Sequence, residues 1–196
     1  MSLFDFVDNT RTDKDTVHSY LGLYDEILAC RKHSALNVLE VGIWRGGSIK
    51  MWHDYFPHAT VHAIDIMIYE NVWDELKDKE RIKLYTSSAL NMTRVDAYDP
   101  EWVKKTFGGM EFDFMLDDGP HTLQSMIDFI KLYLPLLAKD GVLIIEDVQD
   151  YSWFAKLREA VGDSPEFSMK QYDLRMLKSR YDDLVFSVVR HGKMGN

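Results

Sequence analysis

Apolar residues between Thr16 and His33 fall at Val17, Tyr20, Leu21, Tyr24, Ile27 and Leu28. That i, i+3, i+4, i+7 spacing predicts an amphipathic helix. NVLEVGI (37–43) is β-branched and nearly continuous in apolar character, which predicts a strand buried on both faces. A glycine-bearing turn, Trp44-Arg45-Gly46-Gly47, leads into a helix whose inner face is Ile49, Met51, Trp52 and Tyr55, with Pro57 soon ending it. TVHAIDI (60–66) and RIKLYTSS (81–88) read as the second and third strands, with a helix over YENVWDELKDKE between them.

Further along, Asp99 suits a helix N-cap and Pro100 the first helical position. FDFML (112–116) reads as a fourth strand running into Asp117-Asp118-Gly119-Pro120-His121. Leu123, Met126, Ile127, Ile130, Leu134 and Leu137 then mark a long helix, and Gly141 opens a fifth strand, GVLIIEDV. WFAKLREAVG predicts another helix, closed by Gly162. The ending differs: FSMKQYDLRML (167–177) and the strand over 184–190 are separated by a short polar turn, with no helix expected between them. Parallel neighbours need a crossover of roughly a dozen residues, so this pair is expected to be antiparallel. Strand–helix alternation closed by a hairpin predicts an α/β fold of the Rossmann-like, doubly wound kind. Its sheet is expected to be seven-stranded and mostly parallel, with an antiparallel C-terminal hairpin.

Composition narrows the picture. The 196 residues suit one domain over 1–196, and 46% hydrophobic with 28% charged residues suits a soluble core-forming chain. No apolar run approaches the roughly 18 residues of a membrane span. The N-terminus lacks a basic-then-apolar leader pattern, and Cys30 has no second cysteine to pair with, so a cytoplasmic location is expected. A net charge of −9 without a basic stripe argues against a nucleic-acid partner and leaves a small-molecule or glycan acceptor open.

In doubly wound sheets, ligands bind beyond the carboxyl ends of the strands. The first strand runs into Glu40-Val41-Gly42-Ile43-Trp44-Arg45-Gly46-Gly47-Ser48, where glycines allow a sharp turn and close approach of a ligand. The Gly-x-x-x-Gly-Gly spacing is not that of a nicotinamide dinucleotide site. Asp65, at the end of the second strand, is placed to accept both ribose hydroxyls of an adenosine group. Asp117, Asp118, Glu146 and Asp147 crowd the ends of the fourth and fifth strands; such like charges call for neutralisation, and a hard divalent cation such as Mg²⁺ or Ca²⁺ supplies it. His121, at the start of the long helix, is suited to take a proton from an acceptor hydroxyl.

These residues resemble a known pattern. Leu39-Glu40-Val41-Gly42 with Gly46-Gly47-Ser48, Ala63-Ile64-Asp65-Ile66, Asp113-Phe114 with Asp117-Asp118-Gly119-Pro120-His121, and Gly141 with Ile145-Glu146-Asp147 are similar to the metal-dependent sugar O-methyltransferases of the macrocin and mycinamicin type. The related cephalosporin hydroxylase family shares the pattern. Thr12-Asp13-Lys14 with His18-Ser19-Tyr20 looks like the N-terminal segment of that group, so the resemblance covers roughly residues 12–150.

The resemblance implies a class I methyltransferase that uses S-adenosylmethionine and a divalent cation, with Mg²⁺ expected, to methylate a hydroxyl of a sugar or glycan. Glu40, Gly42 and Gly46 would surround the methionine part of the cofactor, Asp65 its ribose and Ser88 its adenine side, with residues 1–34 as a helical segment over that site. Asp117, Glu146 and Asp147 would bind the metal, and His121, or failing it Asp118, would remove the acceptor proton. Members often carry serine before the histidine, where this chain has Pro120. A catechol-like or other small diol acceptor, or a cofactor-binding module without catalysis, are the alternatives. Homo-oligomer and domain of a longer chain both stay open.

Overall fold

A computed structural model describes residues 1–90, 92 and 94–192, in two compact units, Met1–Ala97 and Tyr98–Asn196. In the first unit, α1 (Tyr20–Leu28) precedes β1 (Asn37–Val41), α2 (Gly47–Tyr55), β2 (Thr60–Ile68), α3 (Asp74–Lys77) and β3 (Ile82–Ser87). The three strands are parallel in the order β3-β2-β1, with Asn37 opposite Thr60 and Val61 opposite Ile82. Val38, Leu39, Val61, Ala63 and Ile64 are fully buried, as continuous apolar strands require. The inner faces of the helices supply Tyr20, Tyr24 and Trp52, whose rings pack in series with Phe56.

Two expectations for this unit are corrected. The first helix is shorter than Thr16–His33: it begins at Tyr20 and passes into a 3-10 turn over Ala29–Arg31. The helix expected over 69–80 is broken into a 3-10 turn, Tyr69–Asn71, and the single turn α3. Val72 between them is extended, and only Val72 and Leu76 of the stretch are buried, too few anchors for a longer helix.

The second unit runs α4 (Pro100–Phe107), β4 (Phe112–Asp117), α5 (Leu123–Tyr133), β5 (Leu137–Ile145), α6 (Trp153–Val161), β6 (Phe167–Asp173), α7 (Arg175–Lys178) and β7 (Leu184–Arg190). Asp99 caps α4, its Oδ1 accepting from Trp102 N–H at 2.8 Å, with Pro100 at the first position. The strand order is β4-β5-β7-β6: β4 and β5 are parallel, and β7 is antiparallel to both β5 and β6. This is the expected C-terminal hairpin, although one helical turn, α7, occupies its tip, closed by Ser179 in the left-handed region.

α5 also stops earlier than its apolar pattern suggested. Pro135 stands in a 3-10 turn, Leu134–Leu136, and β5 already begins at Leu137 rather than Gly141. Gly141 is interior to β5 because the chain bulges there: Phe112 pairs with Leu137 but Phe114 with Val142. A Cβ at Gly141 would lie 2.9 Å from Ala138 O and 3.0 Å from Phe112 O, so the bulge excludes a side chain. Both units follow the strand–helix alternation, and the seven strands are those of the expected Rossmann-like class. Among the described residues no helix is long and apolar enough to cross a membrane.

Candidate functional site

The candidate residues divide between the two units. In the first, β1 ends at Val41 and the chain turns through Gly42 (φ 107°), Trp44 (φ 45°) and Gly46 (φ 83°), the last being the N-cap residue of α2. Gly42 N–H donates to Ile64 O at 2.8 Å, tying the loop to β2. A Cβ on Gly46 would sit 2.7 Å from Leu76 Cδ1, and one on Gly47 would sit 2.5 Å from the Arg11 backbone. The loop therefore needs glycine both for its left-handed turn and for close packing.

Asp65 is the hinge of this half. Its Oδ2 accepts from Ile43 N–H at 2.8 Å and Trp44 N–H at 3.4 Å, while Oδ1 accepts from Met67 N–H at 2.8 Å. The carboxylate thus sits at the glycine loop itself, with Ile66, 77% exposed, next to it in the chain. Ser88 follows β3 and is partly exposed.

Glu40 sits beneath the loop rather than on it. It is fully buried, its Oε1 accepting from Ser48 Oγ at 2.8 Å and its Oε2 from Trp52 Nε1. Lys14, 1% exposed, brings its ammonium to 3.8 Å from the same carboxylate. The residues 1–34 segment is further joined to the loop by Gly47 N–H, which donates to Arg11 O at 3.3 Å, and by the Arg11 guanidinium, 3.8 Å from the Trp73 ring centroid. Lys14, Arg11 and Trp73 were missed by sequence reasoning. Ser48 and Trp52 carried a usable signal, being four apart on α2 and so on the face that meets Glu40.

In the second unit the two acids that end β4 part company. Asp117 is 3% exposed, and its Oδ1 accepts from the Tyr98 hydroxyl at 2.9 Å. Burial pushes the Asp117 carboxyl up to about 7, with hydrogen bonds from Tyr98 and from Gly119 N–H pulling the other way. Asp118 instead joins His121 and Asp147: His121 Nδ1 lies 3.4 Å from Asp147 Oδ2, and His121 Nε2 lies 3.9 Å from Asp118 Oδ1. One ligand atom from each of the three lies within 4.8 Å of the others. The expected metal set was Asp117, Glu146 and Asp147; the trio places Asp147 with Asp118 and His121. Glu146, 2% exposed, lies outside this trio.

The trio is held by strained backbone. His121 (φ 53°) and Asp147 (φ 54°) both occupy the left-handed region, costing each roughly 1–2 kcal/mol that the surroundings must supply. Thr122 supplies the N-cap of α5 in a reciprocal pair with Ser125, so Asp118 is not needed as a cap. The donor set suits a hard divalent cation, with two carboxylates and one imidazole nitrogen converging.

No family model matches the chain. It is 30% identical over 145 residues to L-olivosyl-oleandolide 3-O-methyltransferase of Streptomyces antibioticus, covering 70% of this chain and 34% of that one. It is 26% identical over 144 residues to mycinamicin VI 2''-O-methyltransferase of Micromonospora griseorubida, covering 70% and 33%. The chain thus spans about a third of the length of these curated relatives. Among solved structures it is similar to the MycE methyltransferase of mycinamycin biosynthesis in complex with Mg and SAH, with a TM-score of 0.71 at 20% identity over 100% of this chain and 56% of that one. The chain has the Rossmann-like fold of the class I S-adenosylmethionine-dependent methyltransferases. Within that class, its homologues are sugar O-methyltransferases of the macrocin and mycinamicin type.

Proposed function

We propose that the chain transfers a methyl group from S-adenosylmethionine to a hydroxyl of a sugar or glycan, assisted by a divalent cation. The observation that carries this reading is the Asp118–His121–Asp147 trio, assembled at the ends of β4 and β5 on strained backbone. The likeness to sugar O-methyltransferases supplies the reaction class.

The first unit would hold the cofactor. Asp65 would exchange loop N–H groups for ribose hydroxyls, Gly42 and Gly46 would leave space for the methionine end, and Ser88 would meet the adenine side. Glu40 would act from below, keeping the loop in shape through Ser48, Trp52 and Lys14.

The second unit would hold the acceptor. Asp118 and Asp147 would bind the cation through oxygen, which Mg²⁺ prefers, leaving the His121 nitrogen free for proton transfer. A cation bound there would grip acceptor oxygens and make the attacking hydroxyl more acidic. In the transfer, the sulfonium S–C bond would break as the acceptor O–C bond formed, with the hydroxyl proton passing to His121. The charge that His121 gains is met by Asp147 at 3.4 Å and Asp118 at 3.9 Å.

Calorimetric titration with S-adenosylhomocysteine, with and without Mg²⁺, tests the reading on wild type, Asp65→Ala and Asp147→Asn. Micromolar binding that Asp65→Ala weakens more than tenfold is expected. Asp147→Asn is expected to keep that binding and to lose methyl transfer to glycoside acceptors. Absence of binding by the wild type would overturn the proposal.

A further inference from the structure

Asp117, expected as a metal ligand, has structural contacts of its own. It is the last residue of β4, 3% exposed, and three separate pieces of chain meet on it. Its carboxylate accepts from the Tyr98 hydroxyl at 2.9 Å and from Gly119 N–H, and its carbonyl accepts from Glu146 N–H at 3.3 Å. Tyr98 stands immediately before Asp99, the N-cap of α4, so it is fixed by a capped helix start. Gly119 lies between Asp118 and His121, and Glu146 adjoins Asp147.

We propose that Tyr98 and Asp117 form a positioning clamp that sets the 118–121 turn, and with it the Asp118 and His121 side chains, for cation binding and proton transfer. The inference rests on the function proposed above. A loop that carries His121 in the left-handed region will relax unless it is held from outside, and the Asp117 carboxylate holds it through Gly119. That carboxylate is buried, so it in turn needs donors, and Tyr98 provides one through a hydroxyl placed at the carboxylate Oδ1. Burial and the facing Asp117 carboxylate push the Tyr98 phenol above its ordinary range, so it stays a donor at any working pH. Neither residue touches a substrate; both act through the turn.

The test compares wild type with Tyr98→Phe, which deletes the donor and keeps the ring. Mn²⁺ titration, S-adenosylhomocysteine titration and amide hydrogen exchange at Gly119 are the three readouts. The clamp predicts Mn²⁺ affinity at least tenfold weaker, S-adenosylhomocysteine affinity within twofold of wild type, and Gly119 exchange at least tenfold faster. Mn²⁺ affinity unchanged in Tyr98→Phe would overturn the proposal, even beside faster exchange, since Tyr98 would then serve the fold alone. If the wild type itself binds no Mn²⁺, the proposed function falls and the cation-positioning role of the clamp falls with it; Gly119 exchange then shows whether Tyr98 holds the turn at all, unchanged exchange excluding even that.

Discussion

Replacing Lys14 with Met removes a charge from the most deeply buried ion pair of the first unit while keeping most of the apolar stem. Glu40 is 0% exposed and Lys14 1% exposed, with Nζ to Oε1 at 3.8 Å. At an effective dielectric of about 20, two unit charges at that distance attract by about 4 kcal/mol. In the variant the Glu40 carboxylate keeps Ser48 Oγ and Trp52 Nε1 as neutral donors but loses this cation. Breaking one side of a buried pair costs about 3–5 kcal/mol, which agrees with the Coulomb figure. Urea unfolding of wild type, Lys14→Met, Glu40→Gln and the double variant measures this directly. Lys14→Met is expected to lose about 3–5 kcal/mol, with a coupling energy above about 1.5 kcal/mol in the double-mutant cycle. A loss under about 1 kcal/mol, or additive effects, would refute the reasoning that Lys14 anchors the loop through Glu40.

Two further outcomes follow from the same unit. Burial and the Lys83 charge press His62 down to about 4 from 6.5, so the folded chain resists a proton that the unfolded chain accepts. Stability is full above pH 6.5 and falls as the pH drops toward 4, by at most about 3 kcal/mol. His62→Gln should flatten that slope in urea midpoints taken between pH 7.5 and 4.5, and parallel profiles would count against it. Gly47→Ala should cost about 1–3 kcal/mol, because its Cβ would meet Arg11 backbone at 2.5 Å and force residues 8–14 off the loop. Limited proteolysis checks this: cleavage after Arg11 or Lys14 no faster than in wild type would show that the segment stays seated.

Much of this architecture was legible from apolar spacing. Strand–helix alternation, the Asp99–Pro100 start of α4 and the antiparallel ending all depend on local signals that tertiary contacts reinforce. What escaped was non-local. Gly141 reads as a strand start, but only the Phe112–Leu137 pairing reveals it as a bulge inside β5. Asp117 and Asp118 look equivalent in sequence, yet Asp117 ends β4 and meets Tyr98, while Asp118, just past the strand, lies near His121. Lys14 stood out only as part of the Thr12-Asp13-Lys14 motif; its pairing with Glu40, 26 residues away in a separate element, gave no signal.

The strands at one end of each order, β3 and β6, each carry an exposed lysine, Lys83 near the start of β3 and Lys170 at the middle of β6. An open strand edge is a template on which a second chain can add its own strand, the first step toward fibrillar association. Docking another strand there would press a strongly hydrated ammonium against the newcomer. The molecule therefore carries its own guard against self-recruitment at high concentration, and replacing either lysine with valine would remove it from that edge.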